Sequence, residues 1–194
     1  MNNNNHHHAS ENIFPTTKSI MKTKTVITTL AALLALALAG CFTTAPKPAA
    51  HEVKITVDKS LENTSLQIDL IGANATSDIP KWESYSVTEY WQPGNTTRRD
   101  TDRITLDYGR GKPASQTVPA NDAKWKRWFD TGSSYLVVIA DLPGVASDKG
   151  GAADPRRLIL PLDEKSWKKS KKEPLEILVQ ESGIRILTPR NQKK

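Results

Sequence analysis

The feature that most constrains the fold of this 194-residue chain is an alternation of apolar and polar residues that recurs between positions 53 and 186. Successive side chains on a strand point to opposite faces, so this period predicts strands with one buried face. The run at 135–140 is apolar at every position, which is typical of a central strand covered on both sides. The alternating runs are 53–57, 66–70, 104–108, 158–162, 175–179 and 184–186, with Ser182-Gly183 as a hairpin turn before the last. Seven short strands predict an all-β, two-sheet antiparallel sandwich of the transthyretin or immunoglobulin type.

Two segments have helical spacing instead and predict one or two short peripheral helices. The first is 79–91, with Pro80 near its start and Pro93-Gly94 after its end. The second is 121–130, with Asn121 as its capping residue. These segments carry four of the tryptophans, namely Trp82, Trp91, Trp125 and Trp128. Their spacing favours packing of the helices onto the sheets. A surface that stacks on glycans is the alternative.

The amino-terminal part has the pattern of an export signal. Lys22 and Lys24 precede an apolar run of 14 residues, 26–39, which is too short to span a bilayer comfortably. The run ends in Leu-Ala-Gly-Cys41, which resembles the lipobox of bacterial lipoproteins. We therefore predict cleavage before Cys41 and attachment of diacylglycerol to its thiol, with an ordinary secretory signal as the alternative. Cys41 is the only cysteine, and lipidation explains an unpaired cysteine in an exported protein.

These signals divide the chain into four segments. Residues 1–20 are interpreted as an over-called start or an expression-derived segment, with metal binding by its three histidines as the alternative. Residues 21–40 are the signal peptide, 41–50 the lipidated cysteine and a Pro-containing tether, and 51–194 a periplasmic β-sandwich domain. In bacterial lipoproteins an Asp after the cysteine often retains the protein in the inner membrane. Phe42 therefore favours the outer membrane, with the domain facing the periplasm.

The residue inventory limits the chemistry of the predicted mature chain. From position 41 it carries 24 basic and 20 acidic residues, and this mild, mixed charge does not indicate a nucleic-acid partner. His51 is the only histidine after position 40, so Ser-His-Asp and Cys-His catalysis are not expected, and neither is a metal or a cofactor. A hydrolase with two carboxylates stays open, with Asp141 and Asp154 as its candidates. Acids beside Gly and Pro are more often turn formers.

Two basic features have both a functional and a structural interpretation. In the long loop 141–157, Arg156 and Arg157 could bind an anionic partner or form local ion pairs. The stretch 165–172 holds five lysines. It could contact anionic lipid headgroups or be a solvated connection between strands.

Four stretches resemble a known family. VKITVDKSLENTSLQIDLIGA at 53–73, SSYLVVIADLPGV at 133–145, RRLILPL at 156–162 and LEILVQESGIRIL at 175–187 follow a lipobox and a short tether. This order is similar to that of the type VI secretion lipoprotein (TssJ) family. The resemblance implies a transthyretin-like sandwich that docks the periplasmic part of an inner-membrane partner through the loop between its first two strands. Here that loop is 58–65; it is shorter than usual in the family, and the 141–157 loop is longer.

The sequence thus leaves three functional classes open. The first is an envelope assembly or docking lipoprotein, with membrane lipid on Cys41 and a periplasmic protein as partners. Its candidate contacts are Leu61, Glu62 and Asn63 in the first loop, with Arg156 and Arg157 as a second patch. The second class is a ligand- or glycan-binding surface lipoprotein, and the third is a carboxylate-based hydrolase.

Overall fold

Two four-stranded sheets form the body of the protein in the computed structural model, which describes residues 46–145 and 153–191. Sheet 1 has the strand order β4-β1-β7-β8, and sheet 2 has the order β3-β2-β5-β6. The predicted two-sheet sandwich is therefore confirmed. In chain order the strands are β1 Val53–Val57, β2 Leu66–Ala73, β3 Arg103–Tyr108, β4 Ser115–Val118, β5 Tyr135–Ala140, β6 Arg157–Pro161, β7 Leu175–Gln180 and β8 Gly183–Ile186.

One strand pair departs from the antiparallel arrangement that the sequence predicts. β1 and β7 run parallel, with Val53 opposite Leu175 and Val57 opposite Val179. The other five pairs are antiparallel. A parallel pair needs a connection that leaves the sheet and returns to the same end. Between β1 and β7 the chain forms all four strands of sheet 2 as well as β4 of sheet 1, and it then returns to the end of sheet 1 where β1 begins.

The inner faces of the two sheets enclose the main core. Ile68, Leu136, Val138 and Ile177 are at most 1% exposed and belong to one cluster, against which the partly buried Ile186 packs. The predicted shared core is thus confirmed. A second cluster lies on the outer face of sheet 2, where short helices cover the strands. It contains Ile71, Ala73, Trp82, Val87, Tyr90, Val137 and Ile139.

The described residues form four α-helices rather than the predicted one or two. They are α1 Ile79–Ser84, α2 Val87–Tyr90, α3 Thr96–Asp100 and α4 Ala123–Asp130. The segment predicted as one helix divides because Tyr85 is extended and Ser86 starts a new helix, its hydroxyl accepting from the amide of Glu89. The last helix is capped by Asp122, one residue after the predicted Asn121.

The tryptophans pack inside the protein, as their helical spacing predicts. Trp82, Trp125 and Trp128 are 2–4% exposed, which leaves no ring face open for a sugar. Trp91 is half-buried, and the guanidinium of Arg98 lies 4.2 Å from its ring centre. The aromatic surface of the glycan-binding alternative is therefore not present at these residues.

The connections between strands separate into two ends of the sandwich. Four of them lie at one end, which we call the loop end: 58–65, 109–114, 181–182 and the connection between β5 and β6, of which 141–145 and 153–156 are described. The opposite end, the tether end, holds residues 46–52, helix α4, the 162–174 connection and the chain after β8. The tether is fixed there by the pairing of Pro48 with Asp163 and by a bond from the amide of Ala49 to the carbonyl of Leu162.

Several sequence predictions fall outside the described residues. These are the leader 1–20, the signal peptide 21–40, the lipidation site Cys41 and the middle of the long loop, 146–152. No helix within the described ranges has the length and apolarity needed to cross a bilayer.

Candidate docking site

The β1–β2 loop is built around a single turn of 3-10 helix, Lys59–Leu61. Asp58 caps this turn by accepting a bond from the amide of Ser60 at 3.1 Å, and that bond holds the pKa of the carboxyl below its ordinary value. The turn directs Leu61 into the main core, where it is 3% exposed. Leu61 is therefore an apolar anchor that fixes the loop, and its side chain does not lie on the surface as its predicted role in partner binding requires.

The residues that follow Leu61 face outward. Glu62 and Asn63 are exposed, and so are Lys59 and Ser60 on the other side of the buried leucine. A buried side chain flanked by exposed ones gives a short loop one defined orientation. Of the three first-loop candidates, Glu62 and Asn63 are accessible to a partner.

Three of the connections at the loop end are bonded to neighbouring strands of sheet 1. The amide of Asp58 donates to the carbonyl of Val179, and the amide of Val57 donates to that of Ala114, both at 2.8 Å. The amide of Ile184 donates to the carbonyl of Pro155 at 2.7 Å. These bonds fix the first loop to β7, the β3–β4 loop to β1 and the long loop to β8.

The long loop returns to the sheet through a buried ion pair. Arg156 donates from Nε and from its own amide to Oδ1 of Asp154, at 3.1 and 2.9 Å, and from Nη2 to Oδ2 at 3.0 Å. The two residues are 5% and 1% exposed. Arg156 also donates from Nη1 to the hydroxyl of Thr88 in helix α2, at 3.1 Å. The pair therefore joins the loop to the helices that cover sheet 2.

Arg157 has a similar structural position. Its Nη1 and Nη2 donate to the carbonyls of Tyr85 and Glu83, both at 2.8 Å, and the residue is 3% exposed. These carbonyls lie at the end of helix α1, where backbone acceptors lack helical donors. The prediction of a second surface patch at Arg156 and Arg157 needs correction, because both guanidinium groups are enclosed and bound by groups of the same chain.

The two acids of the hydrolase alternative have different surroundings. Both carboxylate oxygens of Asp154 accept from Arg156, so this group is a partner in an ion pair. Asp141 is exposed, and partial desolvation raises the pKa of its carboxyl, while Arg98 and Arg156 act in the opposite direction. The geometry of Asp154 supports a structural role.

A buried polar network that the sequence does not predict holds helix α3 against sheet 2. Asp69 is 0% exposed and accepts bonds from Tyr90, Arg98 and Thr105 at 2.8, 2.8 and 2.6 Å, and Arg103 lies 3.2 Å away. Burial, together with this carboxylate, raises the pKa of the Tyr90 hydroxyl. The partners come from three separate elements, α2, α3 and β3, and no sequence signal joins them. Because the acceptor capacity of Asp69 is used internally, the network serves packing.

Groups of acids, His or Cys that could hold a metal do not occur in residues 46–145 and 153–191. The predicted metal alternative concerned the histidines at positions 6–8, which lie outside these ranges.

Comparison with known proteins gives matches among solved structures. No family model matches the chain, and no curated protein sequence does. The lipoprotein Lip of Serratia marcescens, a membrane-bound component of the type VI secretion system, is 14% identical with a TM-score of 0.42, over 73% of this chain and 97% of that one. The type VI secretion lipoprotein TssJ1 of Pseudomonas aeruginosa is 9% identical with a TM-score of 0.40, over 75% and 100%.

A third match is a chain in the structure of a type VI membrane complex, at 12% identity and a TM-score of 0.47, over 73% of this chain and 99% of that one. At these identities and TM-scores the similarity is one of fold, without a correspondence of residues. Two of these matches are thus proteins of the type VI secretion system that are described as a membrane-bound component and as a lipoprotein.

Proposed function

We propose that this protein is a lipid-anchored envelope lipoprotein that docks a periplasmic protein through its loop end. The observation that carries this proposal is the arrangement of the ends: the tether joins the domain at one end, and four strand connections lie at the other. Loops held on a rigid scaffold commonly carry recognition. A protein anchored in this way presents its loops away from the membrane that holds it.

The length of the tether supports the same arrangement. Four residues separate Cys41 from Pro46, which makes five steps along the chain, so lipid on Cys41 would hold the tether end within about 18 Å of the bilayer. Several acyl chains on one cysteine anchor far more firmly than one. The proposal has two finer parts. The membrane is the outer membrane, as Phe42 favours. The protein belongs to the type VI secretion class, as the family resemblance implies.

The proposed contact surface has a definite composition. Glu62 and Asn63 share the loop end with the exposed Arg110 and Lys112 of the β3–β4 loop and Glu181 of the hairpin. Charges of both signs favour a partner with a complementary polar rim, and they give specificity more than affinity. Leu61 supports this surface from below without entering the contact.

The experiment is site-specific photo-crosslinking in cells that produce the full chain. A crosslinker in place of Asn63 should capture one envelope protein, identified by mass spectrometry as an inner-membrane protein with a periplasmic part. A crosslinker in place of Lys126, exposed on helix α4, is the matched control and should not capture it. Equal capture at both positions, or at neither, would reject the loop end as the docking surface.

The anchor has its own test. Cys41→Ser should abolish acyl labelling and leave the protein unprocessed or outside the membrane fraction. Equal labelling of both proteins would reject the lipoprotein assignment. If position 63 captures peptidoglycan or another sugar polymer instead of a protein, the binding-surface class replaces the docking class.

A further inference from the structure

The lysine-rich stretch of the sequence lies at the tether end of the domain. It belongs to the connection between β6 and β7, which Trp167 fastens to the body: this side chain is 3% exposed, and its Nε1 donates to the carbonyl of Pro161 at 3.0 Å. The same connection carries Asp163, which pairs with Pro48 of the tether. The lysines therefore project from the part of the domain that any anchor on Cys41 would bring nearest to the membrane.

Not all of these lysines are engaged by the protein itself. Lys171 lies 2.9 Å from the carboxylate of Glu164, and Lys169 donates to the carbonyls of Ser170 and Glu173. Among the described residues, no carboxylate lies within ion-pair distance of the other three, Lys165, Lys168 and Lys172, all of which are exposed. Their charges are directed toward solvent.

An apolar side chain stands beside these charges. Leu187 is 45% exposed, and among the described residues it is the one large apolar side chain that is exposed. It lines a groove together with Lys168 and Lys169, and Glu173 and Glu176 line the same groove. Basic residues around an exposed leucine are the composition of surfaces that lie in the headgroup region of a bilayer.

A recess of about 280 Å³ opens next to this surface. Its walls include Lys165, Lys169 and Lys171 together with Glu164, and it borders Ala50 and His51, where the tether meets β1. The carboxylate of Glu164 pairs with Lys171, so a lipid phosphate in this recess would meet Lys165 and Lys169, close to the point where the chain leaves for the anchor.

We propose that Lys165, Lys168, Lys172 and Leu187, called here the lysine surface, rest on the anionic headgroups of the bilayer that holds the lipid anchor. The contact makes the domain stand on its tether end, so that the loop end faces away from the membrane. This inference rests on the proposed function, because it requires the anchor on Cys41 to bring the surface to the membrane.

The expected strength follows from charge. A basic residue at an anionic membrane surface changes the partition coefficient by about fivefold, so three lysines together give a contact that matters once the anchor has concentrated the domain there. The Debye length falls from about 8 Å at 0.15 M salt to about 3 Å at 1 M. The contact should therefore weaken as salt rises, while the acyl anchor does not.

The experiment uses the purified acylated full chain in vesicles. Because acylation occupies the thiol of Cys41, Leu187→Cys places a single free thiol on the lysine surface for an environment-sensitive fluorophore. We expect its emission to shift to the blue on vesicles of phosphatidylcholine mixed with phosphatidylglycerol, relative to phosphatidylcholine alone. The shift should disappear at 1 M salt.

Two matched controls define the surface. Replacing Lys165, Lys168 and Lys172 by Gln should remove the shift, whereas replacing Lys59, Arg110 and Lys112 by Gln, three exposed basic residues at the loop end, should leave it unchanged. A fluorophore at Ser182→Cys, on the hairpin, should not respond to lipid charge.

The outcomes separate this inference from the proposed function. Acyl labelling measured on the same sample reports on the anchor alone, and its absence would overturn the proposed function. Two results would overturn the lysine surface as a membrane contact: the same emission at position 187 on both kinds of vesicle, or a blue shift that persists in the three-lysine variant. A protein partner would then be the ligand of this surface.

Discussion

Asp154 and Arg156, two residues apart in the chain, form a two-point ion pair in which Nε meets Oδ1 at 3.1 Å and Nη2 meets Oδ2 at 3.0 Å. Both side chains are buried, and Arg156 also reaches Thr88 of helix α2. The pair closes the second half of the long loop onto the helices that cover sheet 2. It is therefore the internal support of the loop end.

Removing one partner of this pair should destabilise the domain. Arg156→Met leaves the carboxylate of Asp154 buried without its counterion, and we expect a loss of about 3–5 kcal/mol in the free energy of unfolding. Urea denaturation followed by tryptophan fluorescence measures it. Lys126→Met provides the comparison, because Lys126 pairs with Asp130 at 81% and 60% exposure and should cost at most about 0.5 kcal/mol. Similar losses in the two variants would contradict the role given to the buried pair.

The hairpin between β7 and β8 depends on a glycine. Gly183 has φ +142°, and a Cβ there would lie 2.5 Å from the carbonyl oxygen of Pro155 in the long loop. Gly183→Ala should therefore cost more than the roughly 1–2 kcal/mol of an ordinary left-handed alanine. Gly94→Ala is the control, since Gly94 has φ +78° with nothing near its Cβ position. Thermal unfolding compares them, and an equal loss would show that the backbone at Pro155 moves aside freely.

The stability of the domain should depend on pH through His51. Its Nε2 lies 2.9 Å from the carbonyl oxygen of Leu162, and burial lowers its pKa below the ordinary 6.5, with a smaller contribution from Lys169. Between the lowered and the ordinary pKa the unfolded chain binds more protons than the folded one. The free energy of unfolding should therefore fall as pH decreases below about 6.5, and level off below the pKa of the folded state.

Two variants test the assignment of this pH dependence. His51→Gln keeps a donor for Leu162 and removes the titration, so its unfolding free energy should change little between pH 7.5 and pH 5. Asp141→Asn should keep the decrease, because a carboxyl whose pKa is raised by burial contributes in the opposite direction. Urea denaturation at several pH values provides the measurement. A decrease that survives in His51→Gln would assign it to other groups.

The strands were predictable because their apolar residues repeat with the period of the pleat. β4 shows the limit of this signal: it is a four-residue edge strand in which Val118 is the buried residue, and Ser115, Gln116 and Thr117 carry no apolar alternation. The division of the first helical segment at Tyr85 and Ser86 was equally hidden. A serine inside a helical pattern indicates a cap only when the backbone before it is known to be extended.

The roles of the two arginines could not be predicted from local sequence. Arg157 binds the carbonyls of Glu83 and Tyr85, more than 70 residues away, so only the packing of the helices on sheet 2 reveals that it is buried. Leu61 did carry a signal. A single large apolar residue in an otherwise polar loop is more simply explained as a core anchor than as a contact.

The burial of Leu61 separates the support of the first loop from its recognition surface. Leu61 belongs to the same cluster as Val57, Leu66 and Val179, which lie on strands of both sheets. Glu62 and Asn63 follow it directly and are exposed. Substitutions at these neighbouring positions should therefore have different consequences.

Leu61→Ala should lower the free energy of unfolding by about 2–5 kcal/mol, because it removes buried methyl groups and leaves a cavity between the sheets. Glu62→Ala and Asn63→Ala should each change it by no more than about 0.5 kcal/mol, since neither side chain is packed. Partner capture, measured with a crosslinker at position 110, should respond in the opposite way. Glu62→Ala and Asn63→Ala should weaken capture. Leu61→Ala should retain capture at temperatures where it is folded. If Leu61→Ala loses capture while its unfolding free energy is unchanged, Leu61 is a contact residue after all, and the buried position described here is not the one it occupies in the complex.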